Sequence, residues 1–343
     1  MNLITNEITE PLIHWFEINK RELPWRIDRE PYHVWISEIM LQQTRIEAVI
    51  RYYERFMQAL PDIKSLSEVE DDALMKLWEG LGYYSRAKNL KKATQMIMAD
   101  FGGAFPHTYS QIIKLPGIGE YTAGAIASIC FDELVPAVDG NVLRVIARLT
   151  ASRDNVLLPE TKKEVTSALT KITPPRSGAF NEALMELGET VCLPNGAPDC
   201  EICPLRERCI AYRDNLTGEI PVRVKKLKRS RAEKTVFILR TGDGRIAVEK
   251  RPDSGLLAGL YQLPNIDGYY SVKELKRLLK EWELSAKQIC FQKDAKHVFT
   301  HIDWYMKAYS VTVDTPCERF IWVTEEELSG AYPLPTAFRK ILR

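Results

Sequence analysis

The apolar positions of the chain change period once, near residue 235. Before that point they recur every three or four residues, which marks one face of a helix. After it they alternate, which marks a strand with two different faces. Residues 6–21 set Ile8, Leu12, Ile13, Trp15 and Phe16 on one stripe and predict an amphipathic helix. Leu23-Pro24-Trp25-Arg26 breaks it, because proline lacks the amide hydrogen that a helix interior needs. Residues 31–57 are helical again. Val34, Trp35, Ile36, Ile39, Met40 and Leu41 leave that helix apolar nearly all round, so it is expected to be buried, with Glu38 in its middle. Residues 66–100 predict two helices. Leu74, Leu77 and Trp78 share one face of the first, and Gly80-Leu81-Gly82-Tyr83-Tyr84-Ser85-Arg86 separates them. Residues 111–148 read as helix, tight turn, helix, loop, helix. Ile112, Ile113 and Leu115 end the first, and Pro116-Gly117-Ile118-Gly119 supplies a turn whose two glycines can take positive φ. Thr122 to Cys130 forms the next helix.

Beyond residue 235 the elements change. Thr235–Leu239 predicts a strand, Thr241-Gly242-Asp243-Gly244 a hairpin turn, and Ile246–Lys250 its partner. Residues 255–264 read as a loop feeding a strand, and 272–282 as a helix. His297–Thr300, Trp304–Val313 and Phe320–Val323 are further strands. This half is an α+β domain and the first half is all-α. Residues 222–234 hold seven Lys or Arg and one Glu, a composition shift that predicts a basic linker. The expected division is therefore 1–221, a linker over 222–234, and 235–343.

A length of 343 residues favours two domains. Net charge is +1, so a nucleic-acid partner must be met by local patches and not by a global field. No stretch approaches the roughly 20 apolar residues of a membrane span. The N-terminal residues lack a secretory pattern, so a cytoplasmic location is expected. In that compartment the seven cysteines are expected to be metal ligands or buried thiols.

Four stretches carry candidate chemistry. A turn with glycines at a helix N-terminus presents backbone N–H groups to an anion. Glu38 in an apolar helix has two readings. Either it pairs with an arginine, or its raised pKa makes it a general acid near neutral pH. Asp139, in Val138-Asp139-Gly140-Asn141-Val142, is either a helix N-cap or a functional carboxylate. Cys192, Cys200, Cys203 and Cys209 are spaced C-x7-C-x2-C-x5-C with no histidine nearby. That set can hold zinc or an iron–sulfur cluster. Cys130, Cys290 and Cys317 fall in apolar or strand-like stretches and are expected to be buried.

LPGIGEYTAGA followed by VDGNV resembles the helix-hairpin-helix base-excision DNA glycosylases. WISEIMLQQT closely resembles the catalytic stretch of the MutY adenine DNA glycosylases. The resemblance runs from about Leu12 to the end of the chain. It implies that Glu38 is the essential acid and that Asp139 is the carboxylate beside the sugar, with Tyr121 lining the pocket and Asn141 holding Asp139 or the DNA. It implies DNA contacts from Arg26, Gln42, Gln43, Thr44, Tyr83, Arg86, Gly117 and Gly119. The related endonuclease III lyases carry lysine where this chain has Tyr121, so hydrolysis without strand cleavage is implied. In the family the cysteine spacing is C-x6-C-x2-C-x5-C around a [4Fe–4S] cluster. The extra residue here falls in the turn LPNGAPD. KRPDSGLLAGLYQLP resembles the Nudix-like C-terminal domain of the same family, where Phe-Ser-His inspects 8-oxoguanine. Phe299, Thr300 and His301 stand at those positions. The helix SVKELKRLLKEWEL lacks the glutamate-rich pattern of a Nudix hydrolase, so no pyrophosphatase activity is implied.

The expected partner is double-stranded DNA with adenine opposite 8-oxoguanine or guanine. The expected protein is a nucleoid-associated monomer. Two other readings stand beside this one. An endonuclease III-type lyase is disfavoured by Tyr121 and the second domain. A non-catalytic iron–sulfur DNA-binding protein is disfavoured by Glu38 and Asp139.

Overall fold

The computed structural model describes residues 4–224 and 229–342. The helices of the first two hundred residues are α1 (Thr9–Asn19), α2 (Pro31–Leu41), α3 (Ile46–Ala59), α4 (Ile63–Glu68), α5 (Asp71–Leu77), α6 (Ser85–Phe101), α7 (Tyr109–Ile112), α8 (Glu120–Phe131), α9 (Gly140–Leu149), α10 (Pro159–Thr170) and α11 (Ser177–Thr190). A short α12 (Ile210–Arg213) follows. Among the described residues no helix is long and apolar enough to cross a membrane.

The chain divides into two compact units. One is Met1–Glu68 with Asn89–Lys225, and the other is Val69–Lys88 with Lys226–Arg343. The core of the first unit is built from the stripes the sequence shows. Leu12, Ile13 and Phe16 of α1 pack with Val142 and Ile146 of α9, Val165 and Leu169 of α10, and Phe180, Leu184 and Leu187 of α11. Each of these removes its apolar surface from water, at roughly 1.5–3 kcal/mol per large side chain.

The helical hairpin is α7, a turn, and α8. Gly117 sits at φ +81°, where a side chain is strained, and a Cβ there would lie 2.6 Å from Asn89 Cβ. Gly119 differs from expectation. It is the extended N-cap residue of α8 at φ −101°, so only one of the two glycines uses its conformational freedom. The loop into α9 is pinned by Asn181, which is fully buried. Its Oδ1 accepts from the Ala137 amide at 3.0 Å, and its Nδ2 donates to Val135 O at 2.9 Å and Ser128 Oγ at 2.9 Å.

The second unit is a seven-stranded mixed sheet. Its strands are β1 (Ser230–Thr241), β2 (Ile246–Lys250), β3 (Tyr261–Gln262), β4 (Asn265–Asp267), β5 (Ala286–Val298), β6 (Ile302–Val313) and β7 (Ile321–Val323). The order is β3-β2-β1-β6-β5, with β4 paired to β1 and β7 to β2. The β1–β6 pair is parallel. The helices that follow β1 in the chain are α13 (Val272–Glu281), α14 (Glu325–Gly330) and α15 (Thr336–Leu342). β1 is buried on both faces. Val236 and Ile238 pack with Trp304, Phe338 and Ile341, while Phe237 and Leu239 pack with Leu275, Leu279 and Trp282. That explains the unbroken apolar run TVFIL in place of an alternation.

Three expectations change. The stretch expected as linker starts the sheet. β1 begins at Ser230, and Arg231, Glu233 and Lys234 are strand residues paired with β6. Their charges hid the alternation. Val222 bridges to Asn155, whose side chain also holds both backbone groups of Val224, and the linker residues 225–228 lie outside the described residues. Cys290, expected to be buried, is exposed on β5, the strand at the end of the sheet order. Residues 69–88, early in sequence, group with the second unit. Asp72 accepts from Lys250 Nζ at 2.8 Å and Tyr261 Oη at 3.1 Å. Glu79 accepts from the Leu334 amide at 2.7 Å and from Arg339.

Candidate active site

In the first unit, α2, α8, α9 and α11 surround a cleft of about 1070 Å³. Glu38, Tyr121, Asp139, Asn141, Arg26, Gln42, Gln43 and Thr44 all line it. Gly117 and Gly119 do not; they form the hairpin turn. Tyr83, Arg86, Phe299, Thr300 and His301 belong to the second unit.

Glu38 is 8% exposed. Burial is the largest influence on its carboxyl, with Asp139 and Glu182 acting the same way, and it is pushed up to about 7. Hydrogen bonding from Tyr121 and the charge of Arg26 oppose the shift without cancelling it. Near neutral pH a share of this group is therefore still protonated. The Tyr121 hydroxyl lies between that carboxyl and Met185 Sδ, which is 3.1 Å away. Burial, then Glu38 and Asp139, hold the phenol well above its usual range, so it stays a donor.

Asp139 caps α9 and also faces the cleft. Its Oδ1 accepts from the amides of Asn141 at 2.9 Å and Val142 at 2.8 Å. Its Oδ2 accepts from Asn141 Nδ2 at 2.9 Å. The N-cap reading of Asp139 therefore holds, and the cap also places its carboxylate at the cleft. Burial raises its pKa, and the two backbone bonds oppose that. A carboxylate at a helix N-terminus is also favoured by the helix dipole.

Arg26 does not present a free charge. Its Nη2 donates to Glu186 at 2.9 Å and its Nε pairs with Glu182 at 3.1 Å. Glu186 is 1% exposed and also takes two bonds from the Arg21 side chain. Burial pushes the Glu186 carboxyl up, but the arginine hydrogen bonds outweigh it and hold it at about 2. Gln43, at the end of α2, adopts φ +59°, and Gln42 Nε2 approaches Thr122 Oγ1 at 3.4 Å.

Arg86, expected at the DNA, is instead buried. Its guanidinium lies over the rings of Trp78 and Tyr83, and Nη2 donates to the carbonyls of Leu81 and Gly82 at 3.2 Å each. It shapes the turn that carries Tyr83, because those bonds direct its charge inward. Phe299 is half-buried, edge-on to His297 and Trp304, while Thr300 and His301 are exposed at the β5–β6 hairpin.

The four cysteines line one small cavity of about 30 Å³ with Arg148, Arg206 and Tyr212. Arg148 Nη1 lies 3.3 Å from Cys192 Sγ. Burial pushes the Cys203 thiol up to about 12 and raises Cys200 and Cys209 as well. Among the described residues no three His, Cys, Asp or Glu side chains converge closely enough for a single ion. The four sulfurs around one cavity, with a guanidinium against them, suit an anionic metal–thiolate group.

Residues 36–175 match the family described as HhH-GPD superfamily base excision DNA repair protein, and residues 235–343 match the NUDIX domain family. An adenine DNA glycosylase of Rattus norvegicus is 33% identical over 97% of this chain and 76% of its own length. The chain belongs to the adenine DNA glycosylase family. These are hydrolases acting on N-glycosyl bonds. An adenine DNA glycosylase of Arabidopsis thaliana is 36% identical over 87% of this chain, which spans 56% of that relative's length. A solved structure of a trapped endonuclease III–DNA covalent intermediate matches 62% of the chain and 99% of its own, at 25% identity and a TM-score of 0.52.

Reading this family member from its motifs misses the acids and arginines behind the cleft. Glu182, Glu186 and Glu189 recur at helical spacing along α11, an acidic stripe on a helix whose other face is core. Arg144 and Arg148 do the same on α9 and are 2% and 4% exposed. Arg144 Nη2 donates to Asn141 Oδ1 at 2.9 Å and Gly188 O at 2.7 Å, and its Nε to Cys192 O at 2.8 Å. Gly188 permits this approach, since a Cβ there would lie 2.7 Å from Asn141 Cβ. Charged residues at three- or four-residue spacing inside apolar helices are the sequence signal for such a network.

Proposed function

We propose that the chain hydrolyses the N-glycosidic bond of adenine paired with 8-oxoguanine or guanine in duplex DNA. The observation that carries this reading is a buried carboxyl, Glu38, in one cleft with a second carboxylate, Asp139, and a phenol, Tyr121.

That bond is hidden in a duplex, so the adenine is flipped into the cleft. Protonated Glu38 donates to the adenine ring, which turns a poor leaving group into a neutral base. As the bond breaks, positive charge develops on the sugar. Asp139, fixed in advance by its two backbone bonds and by Asn141, stabilises that charge without reorganisation, and a water molecule adds to the sugar carbon and loses its proton to complete the hydrolysis. Tyr121 donates toward Glu38 and offers no amine, so no Schiff base forms and the strand is left uncut. The hairpin amides after Gly117 and Gly119 bind backbone phosphate. Gln42, Gln43 and Thr44 meet the duplex beside the flipped base. Tyr83, Thr300 and His301 read the opposite guanine.

Cys192, Cys200, Cys203 and Cys209 would hold a [4Fe–4S] cluster, which supplies cross-linking of residues 192–209 and not bond chemistry. Single-turnover assays on duplexes with adenine opposite 8-oxoguanine, adenine opposite guanine, and thymine glycol test the reading. Base release from the first two without strand cleavage is expected. Cleavage of the thymine-glycol strand would overturn it.

A further inference from the structure

We propose that Glu189 is a positioning residue for the Asp139 carboxylate, acting through the carboxamide of Asn141. This rests on the role given to Asp139 above. The Asn141 side chain has every polar atom engaged. Oδ1 accepts from Arg144, and the two hydrogens on Nδ2 point one to Asp139 Oδ2 and one to Glu189 Oε1, each at 2.9 Å. A flipped amide would set an oxygen against two carboxylates, so the three partners fix one orientation.

Glu189 stands where local rules disfavour it. It lies in the last turn of α11, where the helix's own carbonyls repel an acid. Like charge also opposes it, since Asp139 and Tyr121 both face it and each is made harder to ionise by its presence. Arg21 is the compensating cation beside it. A residue that breaks a local preference inside a cleft is the kind that function retains.

The physical consequence follows from the geometry. A negative charge two bonds along the network raises the basicity of Asp139 and adds to the field that stabilises a cationic sugar. Glu189 is exposed in the free protein, so water screens it there. A duplex covering the cleft removes that water and strengthens the interaction. The groups facing Asp139 are Glu189 from α11, Arg144 and Asn141 from α9, Tyr121 from α8 and Glu38 from α2.

The test is the pH profile of single-turnover adenine release by the full chain. Glu189→Gln keeps an acceptor for Asn141 and removes the charge. Its acidic limb should move to lower pH, because Asp139 ionises more readily without its neighbour, while the alkaline limb stays in place. Its plateau should fall roughly ten-fold, the lower end of what one hydrogen bond to a charged group contributes. Glu189→Ala should shift the limb equally and lose more of the plateau, and duplex binding should be no weaker in either. Profiles that superpose on the unaltered chain would overturn the proposal. So would an equal plateau loss with no shift of the acidic limb, which is plain structural support. Asp139→Asn separates the two levels. If it retains base release, the role of Asp139 itself fails. If it is inactive and the Glu189 variants are unaltered, only the inference about Glu189 fails.

Discussion

The Tyr83 hydroxyl stands 2.9 Å from Thr300 Oγ1, although 217 positions separate the two residues. Both belong to the second unit. Tyr83 is held at φ +47°, a backbone region that disfavours a bulky residue, and Arg86 braces it from behind. The tip expected to read oxidised guanine and the aromatic expected to contact the DNA are thus one hydrogen-bonded element.

Removing that bond should weaken discrimination and leave chemistry intact. Thr300→Val keeps the shape and loses the hydroxyl, and Tyr83→Phe does the same from the other side. Each should reduce the preference for 8-oxoguanine over guanine by about ten-fold, one hydrogen bond's worth of roughly 1–1.5 kcal/mol. Thr300→Ser should keep the preference. Single-turnover rates on the two duplexes give the ratio, and an undiminished ratio in Thr300→Val would remove Thr300 from recognition.

The placement of residues 69–88 changes what a truncation tests. A fragment ending at Arg223 keeps every residue of the Glu38 cleft, so adenine release should persist. It loses Lys250, Tyr261, Arg339 and the Leu334 amide, the partners of Asp72 and Glu79. Limited proteolysis should therefore cut the fragment between residues 69 and 88, where the full chain resists. Equal resistance would mean that this segment does not depend on the second unit.

Much of the fold was legible because burial leaves a periodic trace. The amphipathic stripe of α1 and the apolar run of β1 both reported the faces they bury. What escaped was set by tertiary pairing. Ser230–Lys234 reads as a charged connector until its pairing with β6 is known. The same division holds in the cleft. Glu38 declared itself as a charge inside an apolar helix, and Asp139 as a cap after a loop. Glu189 and Arg144 did not, since their meaning lies in which side of Asn141 they touch.

The cysteine cavity predicts colour. Protein purified without oxygen should be brown, with broad absorption in the visible blue and iron and sulfide in stoichiometric amounts. Cys203→Ser should lose the colour and lower the melting temperature, because residues 192–209 then lose the metal–thiolate links whose binding energy is also folding energy. Colourless protein with one equivalent of zinc would show that the longer first gap selects a different metal.

Glu38 should set both the alkaline limb of activity and a stability difference with the same midpoint. Its pKa rises from 4.5 to about 7 in the folded chain. Below pH 4.5 the group is protonated whether the chain is folded or not, and it contributes no difference. As pH rises toward 7 the unfolded chain releases the proton first, so stability is progressively lost. The loss is complete above about pH 7 and amounts to roughly 3 kcal/mol. Glu38→Gln removes the titration. It should match the unaltered chain at pH 4.5 and exceed it at pH 8, as read by thermal or urea unfolding. The same substitution removes the proton donor, so base release should fall by at least the ~10²–10⁴ of one acid–base group, while DNA binding persists. In the unaltered chain the single-turnover rate should decline as pH passes through about 7 and the acid form is depleted. A Glu38→Gln protein with near-normal base release, or with no stability gain at pH 8, would show that the buried carboxyl is held by a partner and does not serve as the acid.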